Sequence, residues 1–195
     1  RKKLVRYVSS LTSRNKTLDF KKTKKINRKT IAFLKKQIEE LDRRIAEAGR
    51  QSEEIDKEID LMDSVPGVGR LSASVVYGTF GSLRQYTRKQ LSALSGLCPT
   101  ISQSGSSPAR GKLSKNGPSY LRNILYLCTT QAMKKIPQLR AMRERLLARE
   151  NSCKMTAKCA CMRTLLLIMK GVVDSGVPYD PDYQRKKQEK SSKVA

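Results

Sequence analysis

Ile31, Ile38, Ile45, Ser52 and Ile59 fall seven residues apart, and Leu34, Leu41, Ala48, Ile55 and Met62 repeat the spacing three residues later. An a/d pattern sustained for more than four repeats, with no proline inside it, lays an apolar seam along one face of an α-helix. At about 1.5 Å per residue, a rod over 31–62 is roughly 48 Å long. Such a seam demands a partner helix, from a second copy or from elsewhere in the same chain. Gly49 and Ser52 weaken its middle. A shorter stripe, Leu4, Val8, Leu11, Asn15 and Leu18, precedes it and fades across 21–25.

Charge sets the second constraint. The 195 residues carry 41 basic and 17 acidic side chains, a formal net charge of +24. Residues 1–36 hold fourteen bases and one acid, residues 37–63 ten acids and four bases, and residues 64–195 twenty-three bases and six acids. Self-repulsion on this scale is relieved by a polyanion. Nucleic acid fits better than anionic lipid, because no Trp- or Phe-rich amphipathic anchor is present. The longest aliphatic run, Leu165 to Met169, is far short of the roughly 20 apolar residues of a membrane span. No apolar stretch of signal-peptide length follows the basic first residues, so the expected location is cytoplasmic, with no membrane partner. Arg at position 1 fits a fragment or a processed product.

Beyond the rod, Ser64-Val65-Pro66-Gly67-Val68-Gly69-Arg70 is a break. Helical stripes follow: Leu71, Val75 and Val76, ended by Gly78 and Gly81; Lys89 to Leu94, closed by Gly96 and Pro99; and Leu121, Leu125, Cys128 and Ala132. A further helix starts at Pro137 with Leu139, Met142 and Leu146 inward. The last is capped by Ser152, carries Ala157, Cys161, Thr164, Leu165, Ile168 and Val172 inward, and ends at Gly176 and Pro178. Nothing alternates with period two over a useful length. The expected fold is all-α: a basic helix and coiled-coil oligomerisation region at 1–63, a compact helical domain at 64–181, and a disordered basic tail at 182–195.

Three segments carry chemistry. Val65-Pro66-Gly67-Val68-Gly69 between two helices resembles a helix-hairpin-helix element. There Gly67 and Gly69 would let the turn approach a phosphate, amides of the following helix would point at it, and Arg70 would add a charge. Residues 100–118 read as an exposed loop, polar and basic from Gln103-Ser104-Gly105 to Asn116-Gly117; its Arg110, Lys112 and Lys115, with Arg122 just beyond, are candidate phosphate ligands. Lys21-Lys22, Lys24-Lys25 and Arg28-Lys29 form a candidate phosphate track. A serine needs activation to act as a nucleophile, and the chain has no histidine. Chemistry alone does not choose among Ser102, Ser104, Ser106 and Ser107. The five cysteines show no C-x-x-C spacing, the acids from 64 onward show no paired motif, and no metal site is expected.

Taken together, Val65-Pro66-Gly67-Val68-Gly69, Gly81, Gln90-Leu91, Ser95-Gly96-Leu97-Cys98-Pro99, Gln103-Ser104-Gly105, Gly111, Ser114-Lys115, Gly117, Leu121-Arg122 and Gly176-Val177-Pro178-Tyr179-Asp180 resemble, in order and spacing, the C-terminal domain of the IS-one-ten group of insertion-sequence transposases. These are relatives of the Piv-type DNA invertases. The resemblance implies DNA transposition and recombination in a bacterial or archaeal cytoplasm, with Ser104 as catalytic nucleophile in a composite active site. It implies oligomers, here homo-oligomers through 31–62, and a structured guide RNA as a second partner. Magnesium is implied on an acidic RuvC-like N-terminal domain that this chain lacks, so the chain alone is expected to be inactive and to hold no cofactor. The alternative is a non-catalytic coiled-coil protein that binds nucleic acid; a purely structural coiled-coil scaffold is a third reading.

Overall fold

The computed structural model describes residues 2–17, 20–50, 53–100, 112–149 and 153–183. Eight α-helices account for most of them, and the one sheet pairing among them is two residues long. The chain is all-α. It forms two compact units, residues 1–51 and 52–195.

In the first unit, α1 (Lys2–Thr17) and α2 (Lys21–Arg50) pack on one another as a helical hairpin. The connection is so short that α2 must return antiparallel. Leu4, Val8, Leu11 and Asn15 form the half-buried face of α1, and Ile31, Leu34, Ile38, Leu41 and Ile45 that of α2. The same chain thus supplies a partner for the seam. Its reach is limited, since α1 with 16 residues is about 24 Å long and α2 with 30 residues about 45 Å. Toward the turn the seam becomes polar. Lys24 and Asn27, one heptad before Ile31 and Leu34, are half-buried, and the Asn15 side-chain oxygen is buried without a hydrogen-bond partner.

The stretch expected as a rod, 31–62, is shared between the two compact units. Residues 51–52 lie outside the described residues, and α3 (Glu53–Asp63) belongs to the second unit. Ile59 and Met62 are 2% and 0% exposed in that unit's core, and Ile55 packs against it. The last heptad positions therefore serve the chain's own core and are closed to a partner copy. The compact units divide at 51/52, and the apolar stripe of α3 buries against the surface nearest to it, α4 and α8.

The second unit is completed by α4 (Arg70–Phe80), α5 (Arg88–Leu94), α6 (Ser119–Lys135), α7 (Pro137–Leu147) and α8 (Lys154–Ser175). Buried pairs recur on α8 at 157/158, 161/162, 165/166, 169/170 and 172/173. Two adjacent buried residues per turn make a wide apolar face, and α3, α5, α6 and α7 all pack on it. Local signals set the ends. Thr87 and Gln90 form a capping box on α5, Pro137 opens α7, and Gly176 in the left-handed region closes α8. α4 runs through Gly78 and stops at Gly81. Cys153 takes the N-cap position of α8; Ser152, the expected cap, lies outside the described residues.

Candidate nucleic-acid interface

The turn between α3 and α4 places its apolar residues inward: Val65 and Val68 are 0% and 5% exposed. Gly67 has φ +91°, and a Cβ built there would sit 2.5 Å from the amide nitrogen of Ala132 on α6. Its missing side chain lets the turn lie on the α6 backbone; it does not open the turn to a ligand. Gly69 differs. It is the N-cap of α4, no side chain caps the helix there, and nothing lies within 4 Å of a Cβ built on it.

Arg70 is not a free charge. Its guanidinium pairs with Asp56 and Asp60 of α3. These acids are four residues apart, one helical turn, so both face the arginine at the start of α4. Glu53, Glu54 and Asp63 are further exposed acids on α3. The start of α4 is thus flanked by carboxylates, which oppose a phosphate there.

The long polar segment is held at both ends. Residues Pro99–Thr100 (β1) and Lys112–Leu113 (β2) pair antiparallel, Pro99 opposite Leu113 and Thr100 opposite Lys112. Below that pair, the Ser114 amide donates to the Cys98 carbonyl at 2.9 Å and the Lys115 amide to the Gly96 carbonyl at 3.3 Å. Leu97 is buried, and Leu113 packs against the core. Residues 112–118 are therefore not all open loop; the part from 112 to 117 is seated on the end of α5. Gly96 and Gly117 touch backbone to backbone: a Cβ on Gly96 would lie 2.6 Å from the Gly117 nitrogen, and one on Gly117 would overlap Leu94 and Ser95.

Ser104 and Arg110 lie outside the described residues, and Lys112 enters through its backbone pairing alone. Arg122 is half-buried and donates from Nη1 to the Gly117 carbonyl. Lys115 is exposed and has φ 55°, the only non-glycine residue among those described with a positive φ. A left-handed backbone costs a side-chain-bearing residue about 1–2 kcal/mol. The structure thus brings Lys115 and Arg122 together with Gly96 and Gly117, and sets Arg70 apart in an ion pair with α3. The seat formed by Gly96 and Gly117 is not visible from the sequence, although the two glycines flank the loop and hint that its ends meet.

On α2, Lys21, Lys22, Lys25, Arg28 and Lys29 are exposed, whereas Lys24 is half-buried in the seam. Concave surfaces lie elsewhere on the second unit. A groove of about 380 Å³ runs beside the turn, lined by Gly67, Ser72, Tyr126, Leu127, Thr130 and Gln131. A larger one of about 660 Å³ lies at the end of α8 and touches none of the expected site residues. Beside the groove, Lys158 is 8% exposed, with its ammonium 4.5 Å from the Tyr126 ring centre. Burial pushes its pKa down. The cysteines are free: Cys128 and Cys161 are buried, Cys98 and Cys159 half-buried. Cys153 is exposed, and the amides of Met155 and Thr156 lower its thiol pKa.

Among the described residues no group of three His, Cys, Asp or Glu side chains converges to hold a metal ion. No helix among them is long and apolar enough to cross a membrane.

Residues 59–144 match a family model described as Transposase IS116/IS110/IS902 family. Over 96 residues the chain is 36% identical to a probable family 20 transposase of Pseudomonas aeruginosa, covering 47% of this chain and 28% of that protein. Over 65 residues it is 42% identical to the transposase for insertion sequence element IS1111A of Coxiella burnetii, covering 33% of this chain and 18% of that protein. The chain thus spans 28% and 18% of the two curated relatives. The matched stretch runs from the last turn of α3 through the Gly67 turn, both arms of the held loop and α6, into α7. Through residues 59–144, the chain is similar to the transposases of the IS116/IS110/IS902 family.

Proposed function

We propose that this chain is the DNA-handling part of an insertion-sequence transposase and that it supplies Ser104 as the nucleophile of a composite active site. The supporting observation is the family match over 59–144, which includes both arms that hold the segment carrying Ser104. Pinning residues 99–100 against 112–113 brings the two ends of that segment side by side on a packed platform. A net charge of +24 favours the polyanion.

In the proposed step the Ser104 hydroxyl oxygen attacks a DNA phosphorus. The Oγ–P bond forms, the P–O bond to one deoxyribose breaks, and the departing oxygen ends as a hydroxyl carrying the serine proton. The phosphoserine link keeps the phosphodiester energy, so attack by another DNA hydroxyl reverses the step and joins strands without a further reactant. Basic side chains beside the phosphate stabilise charge on its oxygens. In this reading Lys115 takes that role, and Arg110 and Lys112 are further candidates on the same segment.

With no histidine in the chain, the group that takes the serine proton would come from another domain. Among the described residues no cluster of three ligating side chains fits magnesium. In this reading the acidic, metal-binding part is a separate RuvC-like domain, and the chain alone does not recombine DNA.

The α3–turn–α4 unit fits a helix-hairpin-helix contact only at Gly69, since Gly67 and Arg70 are engaged within the fold. Self-association would use the part of α2 beyond the reach of α1, Leu41 and Ile45, and not α3. A structured guide RNA would be a second polyanionic partner.

The test is a recombination assay with a whole transposase carrying this segment. Ser104→Ala is expected to abolish strand exchange while duplex affinity stays within about twofold, as for a loss confined to the chemical step. Full activity in that variant would remove Ser104 from the mechanism. Tight DNA binding with no strand exchange by any variant would favour a purely nucleic-acid-binding protein.

A further inference from the structure

We propose that Lys115 is a phosphate contact held ready by a backbone seat, and that Arg122 is a positioning residue of that seat and not itself a ligand of the nucleic acid. The proposal rests on the transposase reading above and names which cation at the foot of the loop meets the DNA.

The seat is built from three contacts. Gly96 and Gly117 meet with no room for a side chain on either. The Ser114 and Lys115 amides donate to the Cys98 and Gly96 carbonyls. The Arg122 guanidinium holds the Gly117 carbonyl, and its Nη1 would lie 3.0 Å from a Cβ on Gly96. Arg122, half-buried and one turn into α6, thus commits one of its five N–H donors, on Nη1, to the backbone of the seat. The segment is tied at 114, 115 and 117, and the left-handed turn falls on residue 115.

Glycine or asparagine takes φ 55° at little cost, because neither suffers the full clash of a longer side chain with the backbone. A lysine there bears the strain. Its backbone is held there by the amide bond to Gly96, while its side chain is exposed and makes no ion pair among the described residues, so no side-chain contact described offsets the cost. Strain of this kind gathers where a side chain acts on something outside the fold. An ammonium at the foot of the polar loop, on a chain of net charge +24, is chemically suited to a phosphate oxygen.

Two properties that usually move together are expected to separate. Lys115→Gly relieves the backbone and removes the charge. Its melting temperature should rise by about 2–4 °C, the response of a chain this size to roughly 1 kcal/mol. Its affinity for a labelled DNA duplex in 50 mM salt should fall several-fold, and the slope of log affinity against log salt should flatten by about 0.9, one phosphate contact. Arg122→Met should melt lower and flatten the slope by the same single step, because Lys115 is then no longer held in place. The double variant should show no further flattening.

If the parent chain binds the duplex and Lys115→Gly leaves both affinity and slope unchanged, the proposal is overturned while the transposase reading stands. Slopes that add in the double variant would make Arg122 a phosphate ligand in its own right. No binding by the parent chain in dilute salt would overturn both readings. Lys115→Gly is expected to be the more stable protein, so its result does not depend on how well the Arg122 variant folds.

Discussion

Arg70 and Gly67 stand side by side with a phosphate-binding turn in sequence, yet each is engaged inside the fold. Arg70 bridges Asp56 and Asp60, and Gly67 admits the backbone of Ala132. Arg70→Gln is therefore expected to lower stability by about 1 kcal/mol, the scale of a partly exposed ion pair, and to leave the salt dependence of DNA binding unchanged. Gly67→Ala combines a positive φ with a clash against a helix backbone and should cost about 3 kcal/mol. Thermal melts beside binding titrations over a salt series check both. A flattened salt slope in Arg70→Gln would show that the arginine leaves α3 for the DNA. The acids at 56 and 60 are a turn apart in the sequence, but only the return of the chain at the Gly67 turn brings residue 70 between them.

Elements were more legible than contacts. The stripes over α6, α7 and α8 place Leu125, Cys128, Ala132, Leu139, Cys161 and Leu165 inward, and the structure buries them. The end signals at Pro137 and Gly176 are legible because they act within one turn of chain. The change of tertiary partners between α2 and α3 is only hinted at, by Gly49 and Ser52, since the heptad register continues into α3. Within α2, Glu40 accepts from Arg43 and Arg44, which hold its carboxyl at a pKa of about 2, below the ordinary 4.5. A lowered folded pKa means the contribution of this cluster is complete above about pH 4.5 and is lost as pH falls toward 2. Circular dichroism at the helix band should show a loss of helicity over that range. Glu40→Gln should lose less there and start lower at neutral pH; identical curves for the two proteins would remove the cluster from α2's stability.

For the whole molecule, the positive charge is shared. Residues 1–51 carry seventeen bases against five acids, and residues 52–195 twenty-four against twelve, so each unit holds half of the net +24. Both units are therefore expected to engage the polyanion. Replacing Lys21, Lys25 and Arg28 together by Gln, all exposed on α2, should flatten the salt slope of duplex binding by up to about 2.7, at about 0.9 per phosphate contact. An unchanged slope would confine binding to the second unit.

The sequence by itself determined the helical class, several helix ends, the positions of the core stripes and the excess of positive charge. Each follows from periodicity, local capping or summed charge, and none depends on distant parts of the chain. Tertiary structure alone decided which apolar stripe meets which. It gave Ile59 and Met62 to the core of the second unit, took Arg70 into an ion pair, and set Gly96 against Gly117. These outcomes depend on contacts between residues far apart in the chain, where spacing carries no information about the partner.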